Sequence, residues 1–109
     1  MAVTAAGVRE IIDESLDLLK NRSVEADSQR LVSRLESVHS VLIRNEKKIW
    51  LRTKKGREML ADVSEAAERL RGTLAFSDEL ETVEAALNDV ETLARAIEEE
   101  SRKRNMVVT

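Results

Sequence analysis

The chain has no cysteine, no proline and no tyrosine, and only three glycines, one tryptophan and one phenylalanine among 109 residues. Without cysteine there is neither a disulfide framework nor a thiolate metal site. Without proline, and with so little glycine, nothing divides the chain into short strands and tight turns. Aromatic side chains normally supply large buried areas. With so few of them the core has to be leucine, valine, isoleucine and alanine, which suits thin helical packing better than a thick globule. No apolar run approaches the roughly 18 residues of a membrane-spanning helix. The opening MAVTAAGVREII has no basic stretch followed by an apolar block, so no secretory signal is expected. A soluble cytoplasmic or otherwise intracellular protein is therefore expected. The net charge of −3 selects no partner by itself.

What is present is Ala, Leu, Glu and Arg, good helix formers throughout, and the expectation is one all-α domain over residues 1–109. The pattern predicts a first helix at about 4–20, capped by Thr4, with Val8, Ile11, Ile12, Leu16 and Leu19 on its apolar face. Asn21, Arg22 and Ser23 make a short link, with Ser23 as the next cap, so the following helix should run antiparallel. That helix starts at Val24. Leu31, Leu35, Val38, Leu42 and Ile49 recur at spacings of 4, 3, 4 and 7, and the same phase meets Gly56, Met59, Val63, Ala66 and Leu70. A sustained seven-residue repeat makes a narrow, coiled-coil-like seam. The preferred reading is one continuous helix over 24–71, with a break near Gly56 as the alternative. Thr53 is the only nearby cap for a new helix, and glycine inside a helix costs only about 1 kcal/mol. Gly72 reads as a stop and 73–77 as a connection. Asp78, with Glu81 at capping-box spacing, or else Ser77, starts a last helix over 78–104. Its seam is Leu80, Val83, Leu87, Val90, Ala94 and Ile97, ahead of a tail at 105–109.

These lengths predict dimerisation. A helix over 24–71 would span roughly 72 Å at about 1.5 Å per residue. The flanking helices could each fold back along one half of it, leaving every cross-section two helices thick. A second copy would complete an antiparallel bundle, giving a homodimer or higher oligomer. If the helix breaks at Gly56, four shorter helices could close within one chain.

The chemistry is concentrated between residues 44 and 57. Arg44, Lys47, Lys48, Arg52, Lys54, Lys55 and Arg57 lie there with a single acid, Glu46. In the heptad frame Trp50 and Leu51 fall off the seam, and Ile43 falls one heptad before Trp50. An apolar strip ringed by positive charge suits the phosphates of a nucleic acid or an acidic membrane, with Trp50 stacking or inserting. The competing reading packs Trp50 and Ile43 under another helix and lets the bases meet acids. Residues 78–100 offer nine acids against one base, Arg95. Asn45, at a seam position, is either a buried register-fixing polar group or a solvated one at a widening of the bundle.

Glu36 and His39 have the Glu-x-x-His spacing of di-iron bundles, but Glu36 points off the seam and there is no second histidine, so no metal or cofactor is expected. A single histidine without cysteine supports no nucleophilic triad, and the isolated glycines make no phosphate loop. The expectation is a non-enzymatic, self-associating scaffold or adaptor, bound to itself and to another protein. A nucleic-acid- or acidic-membrane-binding module is the alternative. No family resemblance emerges from these residues.

Overall fold

The seam through Leu31, Leu35, Val38 and Leu42 stops at Asn45, and the way it stops shapes the rest of the molecule. The computed structural model describes residues 3–22, 26–77 and 79–107. Four helices account for most of them: α1 (Ala5–Arg22), α2 (Ala26–Asn45), α3 (Lys54–Phe76) and α4 (Leu80–Val107), with a 3-10 turn at Ile49–Arg52 between α2 and α3. The all-α expectation holds. The continuous helix over 24–71 does not form. Its alternative, the break, is what the chain adopts, starting upstream of Gly56 and using Thr53 as the cap.

The reason lies in what the break buries. On a continuous helix Trp50 and Leu51 would sit off the seam. The 3-10 turn brings both into the core, leaving them 8% and 5% exposed, and turns Ile49 outward at 79% exposure. Burying a tryptophan removes about 150–250 Å² from water, worth roughly 4–6 kcal/mol at about 25 cal/mol per Å². That outweighs leaving one isoleucine in solvent. Ile49, expected in the seam, is thus an exposed residue.

Helix α3 starts at Thr53, whose Oγ1 accepts the Gly56 N–H at 3.2 Å and donates to the Trp50 carbonyl at 2.6 Å. It runs straight through Gly72 to Phe76, so the expected stop and the connection at 73–77 are corrected. Leu74 continues the phase of Val63, Ala67 and Leu70 and is buried; a buried leucine contributes more than the roughly 1 kcal/mol that glycine costs in a helix. Thr4 caps α1 as expected, its Oγ1 accepting the Gly7 N–H at 3.0 Å. Helix α4 continues to Val107, past the expected start of the tail. The expected caps at Ser23 and Asp78 and the helix start at Val24 lie outside the described residues.

Helix α1 packs on α2 and α3, and α4 packs on the same two, which puts α1 and α4 on one diagonal and α2 and α3 on the other. Arg30–Glu84 and Arg44–Glu98 tie like ends of α2 and α4 together, so these two helices run parallel. The chain therefore goes up, down, up and down, and the segment from Glu46 to Thr53 crosses the end of the bundle. The molecule measures 48 × 29 × 18 Å. Its core holds Val8, Ile12 and Leu19 of α1, Leu31, Leu35, Val38 and Leu42 of α2, Val63 and Leu70 of α3, and Val83, Leu87, Val90 and Ile97 of α4. Met59 and Leu80, expected at the same depth, are only partly buried, and Leu60 takes the deep position in the first turns of α3.

Candidate functional site

The crossing segment is held from below by a polar chain that runs through the core. Asn45 is 3% exposed and Ser101 5%. Asn45 Nδ2 donates to the Val41 carbonyl at 2.8 Å and to Glu98 Oε2 at 2.6 Å. Ser101 Oγ donates to Asn45 Oδ1 and accepts from Trp50 Nε1 at 2.8 Å. Each of these buried groups is satisfied, which removes the cost of burying it. Of the two readings of Asn45, the buried one is therefore the structure's, inside a single chain. The Arg104 guanidinium lies 5.1 Å from the centre of the Trp50 ring, a cation–π distance.

With Trp50 fixed inside, the bases around it are turned outward. Two of the seven are neutralised by α4: Arg44 lies 3.3 Å from Glu98, and Lys55 Nζ lies 3.1 Å from Glu100. Glu100 also takes Arg104, and the hydrogen bond from Lys55 holds its carboxyl below the usual carboxylate range. The other five, Lys47, Lys48, Arg52, Lys54 and Arg57, make no ion pair among the described residues. The one acid of the segment, Glu46, is taken by Arg9 at 3.3 Å.

Four of these five bases line a cleft of about 770 Å³ between the crossing segment and the first turn of α1. Lys47, Lys48, Arg52 and Arg57 line it together with Glu46, whose charge is taken by Arg9, and with Thr4, Ala5 and Ala6, where the positive end of the α1 dipole lies. Leu51 and Leu60 form the floor. Such a cleft, lined by cations and by the positive end of a helix dipole, suits an anion.

The expected strip of Ile43 and Trp50 is not a surface. Trp50 is in the core, while Ile43 remains 49% exposed on α2. Leu51 is buried, so of the apolar residues in the basic segment Ile49 is the exposed one, with Ile43 just ahead of the segment. Sequence reasoning missed three contributors. Ile49 was assigned to the seam. The first turn of α1 joins the site only through the fold. Arg102 and Lys103 stand exposed on the turn of α4 that carries Ser101, and neither makes an ion pair among the described residues. The basic run at 102–104 is visible in the sequence, but nothing local shows that it ends beside residues 47–57.

Elsewhere, Glu36 is exposed, and His39 Nε2 lies 2.6 Å from Asp13 Oδ1 of α1. Among the described residues no helix is long and apolar enough to cross a membrane. Compared with protein-family models, curated proteins and solved structures, the chain has no significant match.

Proposed function

We propose that the protein is a non-enzymatic binding module whose cationic end takes an anionic partner. One observation carries the reading: five bases gathered at one end of the bundle have no acidic partner among the described residues, although every helix carries acids. Unpaired like charges repel one another, and an arrangement that keeps them together without neutralising them within the fold suits neutralisation from outside. The buried network anchors Asn45 and Trp50 on either side of Lys47 and Lys48, so little backbone ordering is needed on binding. An intracellular setting, expected from the sequence, supplies both nucleic acid and anionic lipid.

Retention on immobilised heparin, a polyanion of neither class, tests this reading. Wild type is expected to bind at low salt and elute as salt rises, because charge pairing at an exposed surface is screened within about 10 Å at 0.1 M. Changing Lys47, Lys48 and Lys54 together to Gln, with Arg52→Gln, should abolish retention without loss of helicity. Wild type passing through at low salt would refute the reading.

Self-association is the second reading, in the form of a homodimeric scaffold or adaptor that also engages another protein. Phe76, the one phenylalanine of the chain, is 93% exposed at the end of α3, the opposite end from the cations. A solvent-facing aromatic of this kind suits a helix-to-helix contact with a second copy. Light scattering after size exclusion checks it: a homodimer has twice the 12.3 kDa of the chain, and Phe76→Ser should return it to that value.

A further inference from the structure

We infer that the anionic partner is a lipid surface and that Ile49 is the side chain that enters it. The inference rests on the anion-binding reading above and names its ligand. At the crossing end of the bundle, Ile49 is the most solvent-exposed large apolar side chain among the described residues, at 79%, and it is flanked in sequence by Lys47, Lys48 and Arg52. It sits in a short turn that crosses the end of the molecule, so it forms a tip rather than part of a groove. The bases without an ion pair among the described residues and the apolar tip therefore stand at the same end of the bundle.

An aliphatic tip within a ring of cations matches the layered chemistry of an acidic bilayer, with phosphates and carboxylates at the level of the bases and acyl chains a few ångströms deeper. It matches nucleic acid poorly. Single strands are held on aromatic platforms, and the one tryptophan of the chain is buried under this turn with its Nε1–H bonded to Ser101. Duplex grooves admit a helix or a strand pair carrying bases and amides, whereas here an isoleucine leads. The cleft beside α1 adds a place for a headgroup phosphate, walled by Lys47, Lys48, Arg52 and Arg57. Arg102 and Lys103 on α4 extend the positive field. Glu58 and Glu99, the acids of the neighbouring turns with no ion pair among the described residues, reduce that field without balancing it.

Cations close to an anionic membrane each strengthen partitioning on the order of fivefold. Burial of one aliphatic side chain adds about tenfold. Binding should therefore need both the charges and the tip.

The test is flotation of the full chain with vesicles of phosphatidylcholine alone or of phosphatidylcholine with phosphatidylserine. Binding of the same chain to duplex DNA and to single-stranded RNA is followed in parallel by fluorescence anisotropy. Wild type should float with the anionic vesicles only, less so as salt rises. Ile49→Ser should weaken that binding about tenfold, while heparin retention, which rests on the cations, persists. Ile49→Leu should bind as wild type does. Because Ile49 stands in solvent, both variants should keep the wild-type melting temperature. Heparin retention with nucleic-acid binding but no vesicle binding would overturn the lipid inference and leave the anion reading standing. Equal vesicle binding by wild type and Ile49→Ser would overturn the insertion. Absence of binding to heparin, vesicles and nucleic acid alike would overturn both.

Discussion

Gly56 and Gly72 are two glycines in one helix with opposite roles. Neither has a positive φ, so neither is needed for its backbone conformation. A Cβ on Gly56 would meet the Trp50 carbonyl oxygen and the Leu51 Cα, well inside the 3.0 Å that real Cβ contacts respect. Both are backbone atoms of the turn that buries Trp50, so neither can swing aside. A Cβ on Gly72 would meet nothing within 4 Å. Gly56→Ala should destabilise the protein by about 1–3 kcal/mol, through overpacking that exceeds the gain in helix propensity. Gly72→Ala should stabilise it by about 0.5–1 kcal/mol. Urea melts of the two variants check this, and equal shifts of the same sign would contradict the close approach at Gly56. In the sequence the two glycines read the other way round, with Gly72 as the stop and Gly56 as the tolerated interior residue. What decides between them is a neighbouring backbone, and no residue pattern reports that.

Among the elements, α1 and α4 were legible because Val8, Ile12, Leu16 and Leu19, and Val83, Leu87, Val90, Ala94 and Ile97, keep spacings of 3 and 4 without a gap, and both helices form with those faces inward. The break between α2 and α3 was not. Met59, Val63 and Leu70 stay in phase with Leu42 whether or not the helix continues, so the repeat could not register the break. Trp50 leaves the helical path because Ser101, 51 residues later, accepts its N–H in the core. The charge cluster itself was legible, but which charges remain free was not, since Glu98 and Glu100 select Arg44 and Lys55 from a distant helix. The Lys55–Glu100–Arg104 group also ties the first turn of α3 to the end of α4. The Lys55 hydrogen bond lowers the Glu100 pKa in the folded state. Its stabilisation is therefore present above the ordinary carboxylate value and is lost as pH falls through the lowered one. Wild type should melt above Glu100→Gln at pH 7, and the difference should shrink as pH falls below the ordinary carboxylate value. A difference that persists undiminished in acid would show that Glu100 acts by packing rather than by charge.

The whole molecule closes because the chain gives up one long helix for two shorter ones. A spine over 24–71 would have been roughly 72 Å long, whereas the bundle is 48 Å in its longest dimension and buries the seams of all four helices within one chain. The same break places Trp50 under the crossing segment and the free bases above it, so the candidate site and the closure of the fold stand or fall together. Acrylamide quenching of tryptophan fluorescence addresses both, because Trp50 is the one tryptophan in the chain. At 8% exposure, with its N–H held by Ser101 and Arg104 over its ring, Trp50 should emit at short wavelength and be quenched weakly, both alone and with anionic vesicles. Emission at long wavelength, with quenching as strong as that of free tryptophan, would place the ring on an open helix face and contradict the closed bundle.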